Sequence, residues 1–351
     1  MTRSSSSALP LDLRQQGVSK RQPALQRVRR CAPAGCPSVR TLVASLGFLS
    51  LIAVHAPAFG LEIKTVAIIR EGRSGVLFVS PRGLAVDERR GEFLLANTGM
   101  HRIEFFDLTG KAVGQVTHRV ETDDGTLIEG QPRSVAVDPS GRLIVVDQMA
   151  AYVNVLDFRG RSVGRLELPP PDNDPNLANA PGSVVVGRDG SIYIATRGEV
   201  GRIYKFGPDL KRVGVWGRGG SGEGQLSRIA GMALTPGGNL VVVCVGTDLA
   251  VQVFEPAGRF LFGFGRHEVG NGNFSLPAGV AVTSDGRIWV TDEIRQSIQI
   301  FDAQGVYLDL VGAAGVQPGE FMYPSALASS GDSLLAVAER IGNRMQLLSV
   351  R

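Results

Sequence analysis

Short runs of β-branched and aliphatic residues, each bounded by Gly, Asp, Asn or Ser, recur along most of this chain. FLLAN from Phe93 and LIVVD from Leu143 are two of them, and IYIAT from Ile192, LVVVC from Leu240, IWVTD from Ile288 and LLAVAE from Leu334 repeat the arrangement. Runs of this length between turn formers read as strands. Ahead of each lies a related segment: PRGLAVD from Pro81, PRSVAVD from Pro132, PGSVVVG from Pro181, IAGMALT from Ile229, PAGVAVT from Pro277 and PSALASS from Pro324. Successive starts lie 47 to 51 residues apart, and a period of about fifty suits a propeller blade. A third run follows in each copy, such as RIEFFD from Arg102 or SIQIFD from Ser297, and a turn then opens a fourth, such as RFLFGFG from Arg259. Four strands per copy make one antiparallel blade, so six copies predict an all-β, six-bladed β-propeller.

The sixth copy stops at Arg351 after its third strand. The strand-like segment LEIKTVAIIR, from Leu61 to Arg70, stands just before the first copy and is predicted to supply the missing outer strand. Closing the ring in this way removes strand edges that would otherwise pair with other chains; a loose N-terminal arm is the alternative. The chain therefore divides into a leader, residues 1–60, and a propeller, residues 61–351.

These residues carry a family resemblance. A Pro and small residue, a strand, a Gly turn, a second strand ending in Asp, then Arg-Ile and an aromatic-Asp-Gly close resemble the NHL repeat. HRIEFFDLTG from His101 and GRIWVTDEIRQSIQIFDAQG from Gly286 match best, and GSGEGQLSRIAG from Gly220 is similar to the family's link between repeats. The resemblance covers Leu61–Arg351 and implies a six-bladed propeller, a fold that hosts lyases, lactonases, RNA binders and scaffolds. The family's Asp at the end of the second strand is kept at Asp147 and Asp292, and its Arg at the start of the third at Arg102, Arg202 and Arg344. Asn97 with Arg102 and Glu339 with Arg344 come nearest to a full pair, and such pairs are expected to stabilise blades rather than bind a ligand.

Charge changes the picture once it is divided by position. Of 37 Lys and Arg and 33 Asp and Glu, eight basic residues and one acid fall in residues 1–60, leaving 29 against 32 from Leu61 onward, a net charge of −3 with His neutral. Without a cationic propeller, nucleic-acid binding loses its electrostatic basis. The leader has the form of an export signal: basic residues ending at Arg40, an apolar stretch from Thr41 to Val54, then small residues around Ala56, Ala58 and Gly60. That stretch is short for a membrane span, and the small residues suit a signal peptidase. The expectation is a periplasmic or secreted protein cleaved near Ala58 or Gly60, with an uncleaved anchor as the alternative and the leader as the only membrane contact.

Candidate chemistry is sparse. Cys31 and Cys36 lie in the leader, so Cys244, in a hydrophobic strand, has no disulfide partner and reads as a small buried apolar residue. Some propellers of this kind hold zinc or calcium near the axis, but His101, His118 and His267 are the only histidines after the leader. His118 and His267 follow outer strands of opposite blades, each roughly 14 Å further from the axis than an innermost strand, which separates them too widely for a zinc site. Asp172, Asp174 and Asn176 alternate like the start of a calcium loop, but Leu177 replaces the turn Gly and Ser183 the closing Glu. No cofactor is therefore predicted, calcium or zinc being the alternatives. The acids Glu121, Asp123, Asp124 and Glu129 between the first two blades are expected to be solvated.

The upper mouth of the channel remains, where the second residue of each repeat approaches the axis. Arg82 and Arg133 fall there, with Arg228 just before the fourth repeat, while the other copies carry Gly182, Ala230, Ala278 and Ser325. A mouth cationic on one side and open on the other is expected to receive an anionic group. The reading is an exported, non-catalytic binding or scaffold module for a protein partner in the envelope or outside the cell, with a metal-dependent lyase or lactonase-like hydrolase as the alternative.

Overall fold

The computed structural model describes residues 61–170 and 180–351. Six four-stranded antiparallel sheets follow one another along the chain. Blade one comprises Gly83–Asp87, Glu92–Asn97, Arg102–Asp107 and Ala112–Thr117. Blade two comprises Pro132–Val137, Leu143–Asp147, Val153–Leu156 and Ser162–Leu166. The innermost strands of blades three to six are Pro181–Val186, Ile229–Leu234, Pro277–Val282 and Pro324–Ser330. Each innermost strand touches those of both neighbouring blades, blade six meeting blade one, so the six form a ring about a channel. In blade six the outer position is taken by Ile63–Ile69, which pairs antiparallel with Arg344–Val350, Ile63 opposite Val350 and Ile69 opposite Met345.

The hydrophobic runs are unbroken because both faces of every blade are covered. Within the second strand of blade two, Leu143 and Val145 pack toward Leu94 and Ala96 of blade one, whereas Ile144 and Val146 pack toward Ile192 and Ile194 of blade three. Successive strand residues point to opposite faces, so one strand feeds two separate cores. Six such clusters occupy the six interfaces between blades. The outer strands have one side in water and can alternate accordingly, as in Tyr307–Val311, where half-buried residues alternate with exposed Leu308 and Leu310.

A glutamine in the middle of the third strand ties blades four, five and six to the segment that precedes each. Gln252 accepts from the Gly224 amide at 2.8 Å and donates to the Gln225 carbonyl at 2.8 Å. Gln299 repeats this with Gly272 and Asn273, and Gln346 with Gly319 and Glu320. The second-strand ends do related work. Asp292 accepts from the Ser275 and Leu276 amides at 2.6 and 3.1 Å, and buried Glu339 accepts from the Met322 amide while pairing with buried Arg344 at 2.6 Å. Of the two expected pairs, Glu339 and Arg344 thus bind loops as well as each other, whereas Asn97 accepts from the Val79 amide and Arg102 donates to Ser74.

Between blades one and two, Arg119–Glu121 and Leu127–Glu129 form a short hairpin where the sequence suggests a solvated loop. Its Val120 is buried against Ala150 and Tyr152, and Glu121 pairs with Arg165. Asp124 is used inside the turn, accepting from Thr122 and from the Thr126 amide.

Candidate functional site

At the end of the channel where the innermost strands begin, a cavity of about 330 Å³ opens. Arg82, Arg133, Gly182, Ala230, Ala278 and Ser325, the six equivalent second positions of the repeats, all line it. In blades two to six this position falls where the pairing between the first and second strands skips a residue, as between Pro132 and Ser134. A bulged residue is freed from the ladder and its side chain re-aimed, which puts Arg133 on the channel rather than against a neighbouring blade.

A second tier comes from residues just after the second strands. Glu293 and Arg340 line the same cavity, and Arg340 Nη2 donates to Glu293 Oε2 at 3.0 Å. Arg197, the equivalent residue of blade three, lies beside Gly182 and acts electrostatically on both Arg82 and Arg133. These three residues escape a reading based on the repeat starts. Stacking the copies on the ends of their second strands is the signal that finds them, because the chain there turns back over the same face.

Among the described residues, the guanidinium groups of Arg82, Arg133 and Arg340 therefore share the mouth with one carboxylate, and Arg197 adds a fourth positive charge nearby. Arg133 Nε donates to the Gly182 carbonyl at 3.2 Å, but the buried Nε atoms of Arg82 and Arg197 meet no acceptor among the described residues. Burial, then the neighbouring Arg82 and Arg197, push the Arg133 guanidinium down to about 10. Burial, then Arg340, also lower Arg82, with Glu293 opposing. Arg133 is still charged near pH 7, so the cluster is a set of half-buried cations held together against mutual repulsion.

Arg228 stands apart from this group. It adopts φ +40° and does not line the cavity. Its guanidinium lies 3.7 Å from Glu199 and donates to the Val245 carbonyl at 3.3 Å. One position of difference along the repeat is enough to turn it outward.

The remaining titratable residues do not converge. His118 is buried beside Asp147, Nε2 to Oδ2 3.2 Å, between blades one and two. His101 Nδ1 lies 2.6 Å from the Gly130 carbonyl, and His267 is exposed, accepting from the Gly246 amide at 3.3 Å. Among the described residues no three His, Cys, Asp or Glu side chains gather as metal ligands. The single carboxylate lining the mouth among the described residues is already bonded to arginine, so the donor set described there does not fit a zinc or calcium ion of the kind the family resemblance raised. Burial pushes the Cys244 thiol up to about 12, which removes it as a nucleophile at neutral pH. Asp172, Asp174 and Asn176, like the signal and cleavage segment through Gly60, lie outside the described residues.

A second cavity of about 780 Å³ opens at the lower end. Leu84, Val184, Met232, Val280 and Leu327 line both cavities, forming an apolar waist between them.

Residues 274–301, in blade five, match the NHL repeat family. No curated protein matches the sequence. Among solved structures the chain is similar to a gluconolactonase from Xanthomonas campestris, with 16% identity over 84% of this chain and 91% of that one and a TM-score of 0.56. It is also similar to virginiamycin B lyase from Staphylococcus aureus (14% identity, 82% and 99% covered, TM-score 0.53). A PQQ-bound aldose sugar dehydrogenase from Streptomyces coelicolor is a further match (16% identity, 84% and 99% covered, TM-score 0.54). At these identities the likeness is one of fold.

Proposed function

We propose that this chain, a six-bladed propeller of the NHL-repeat family, is a binding module that receives an anionic group of a partner at the upper mouth of its channel. One observation carries the reading: Arg82, Arg133 and Arg340 line a common cavity whose lone carboxylate among the described residues is Glu293, and Arg197 stands close enough to act electrostatically on Arg82 and Arg133. Like charges held this close disfavour one another, a cost that an incoming anion offsets. Rigid blades carrying variable loops provide the docking face around it.

Export is part of the proposal, supported by the basic run ending at Arg40, the apolar stretch Thr41–Val54 and the small residues that follow. The partner would then be a protein of the envelope or the exterior. A lactonase-like or lyase-like activity draws on fold likeness alone, and three metal-binding side chains do not meet among the described residues.

The test is retention of cross-linked envelope proteins by the wild type and by R82A/R133A. The expected result is a partner held by the wild type and lost from the double variant; equal retention overturns the reading. Turnover of a lactone with added zinc or calcium, surviving R82A/R133A, would establish the enzymatic alternative instead.

A further inference from the structure

Three positive charges at the mouth have no carboxylate counterpart among the described residues. Arg340 is matched by Glu293, but Arg82, Arg133 and Arg197 form no ion pair among the described residues. Their planar forks present several N–H donors each, a geometry suited to oxyanions with more than one acceptor edge. A carboxylate has two oxygens and one charge, so it leaves most of this set uncompensated. A phosphate monoester carries about −1.5 to −2 at neutral pH and three strong acceptor oxygens.

Size points the same way. The cavity's 330 Å³ lies at the low end of the roughly 300–1,000 Å³ typical of small-ligand sites. Its rim is also fixed: a Cβ added at Gly83 would lie 2.5 Å from the Arg133 carbonyl oxygen, and one at Gly279 2.6 Å from Ala326 Cα. Innermost strands this close cannot be wedged apart, so a compact head group enters rather than a folded surface.

We infer that the upper mouth binds a phosphate monoester dianion, clasped by Arg82, Arg133 and Arg197 while Arg340 stays with Glu293. The inference rests on the anion-receiving reading above and narrows it. The phosphate belongs either to a small molecule or to a phosphorylated side chain of a partner protein, and the chemistry of the site is the same for both.

Calorimetric titration of the full chain at constant ionic strength separates the possibilities, with inorganic phosphate, phenyl phosphate, a phosphoserine peptide and acetate as probes. Phosphate-bearing probes are expected to bind at least about tenfold more tightly than acetate, as charge-assisted bidentate contacts are added. R82A/R133A is expected to lose at least about tenfold in phosphate affinity without a lower melting temperature, because it removes crowded like charges. Glu293→Gln removes the mouth's negative charge and frees Arg340, so its phosphate affinity is expected to rise, a change that a folding defect does not produce. Stronger binding of the phosphoserine peptide than of phenyl phosphate would support the inference with a protein source, and the reverse order with a small-molecule source. Equal affinity for acetate and phosphate, both lost in R82A/R133A, overturns the dianion and leaves the broader anion reading standing. Binding of no probe, with envelope partners retained regardless of the substitutions, overturns both.

Discussion

At the lower end of the channel, Asp87, Asp138 and Asp189 sit in the hairpins that join the first two strands of blades one, two and three. Each carboxylate is occupied by donors of its own turn. Asp138 accepts from the Ser140 and Arg142 amides, both at 2.9 Å, and from Arg142 Nε at 2.5 Å. Asp189 accepts from the Ser191 amide and hydroxyl, and Asp87 from the Arg89 amide. Of the arginines at the upper mouth only Arg340 has a carboxylate partner among the described residues, and Arg82 and Arg197 keep a buried nitrogen unbonded. Both ends are lined with charge, so the number of charged residues does not distinguish them. What distinguishes them is that the lower set completes its own backbone turns, whereas Arg82, Arg133 and Arg197 of the upper set have no carboxylate partner among the described residues.

The comparison breaks most visibly under ligand. At a phosphate concentration of 100 times its dissociation constant, the wild type is expected to gain about 2.7 kcal/mol in urea unfolding. R82A/R133A should gain almost none, and Asp138→Ala the full amount. Loss of the gain in Asp138→Ala would mean that the lower end takes part in binding.

Next in size is the structural cost of emptying a lower turn. Burial works against the Asp138 charge, but bonds from Ser140 and Arg142 outweigh it and hold the carboxyl below its usual range. A depressed carboxyl contributes stability that is present above its unfolded value near 3.9 and is lost as pH falls through the folded value. Asp138→Ala is expected to cost about 2 kcal/mol at pH 7, the difference from wild type shrinking toward pH 3. Equal stability of the two proteins at pH 7 would place the lower carboxylates among the unused charges.

Glu104 sharpens the distinction because it, too, lacks partners but is sealed. It occupies in blade one the clamp position held by Gln252, Gln299 and Gln346 in later blades, faces Gly72, and is 0% exposed with neither oxygen bonded. Burial raises its carboxyl, and the nearby Arg102 charge opposes this without prevailing. A raised carboxyl favours folding below the unfolded value near 4.3 and loses that contribution as pH rises through the folded value. Glu104→Gln is therefore expected to stabilise by about 1 kcal/mol at pH 7 and by nothing at pH 4, leaving phosphate affinity unchanged. A loss of stability at pH 7 would show that the charge has a partner. Smallest of all is the expected reactivity of Cys244, which should resist maleimide until the protein is unfolded.

Much of this fold is legible in the sequence because each blade repeats one buried pattern. Runs such as Leu143–Asp147, covered on both faces, cannot be mistaken for amphipathic helix. The repeat starts also locate Arg82 and Arg133 at the mouth. Arg197, Glu293 and Arg340 were hidden because their position varies freely, Thr98, Gln148 and Val245 occupying it in the other blades. Arg228 shows the opposite limit: its place one step before the repeat start looks equivalent, yet its backbone angle and Glu199 carry it away. The hairpin at Arg119–Glu129 was obscured by its charge, since only Val120 and Ile128 supply an apolar side.

The close approach of innermost strands at Gly83, Gly231 and Gly279 separates two properties of the mouth. Its calibre is set by main chain meeting main chain, at positions where any side chain would push blades apart. Its chemistry is set by the neighbouring bulged residues, which are free to vary. A lineage can therefore exchange arginine for alanine or serine on the rim and change what is recognised while the bore stays the same.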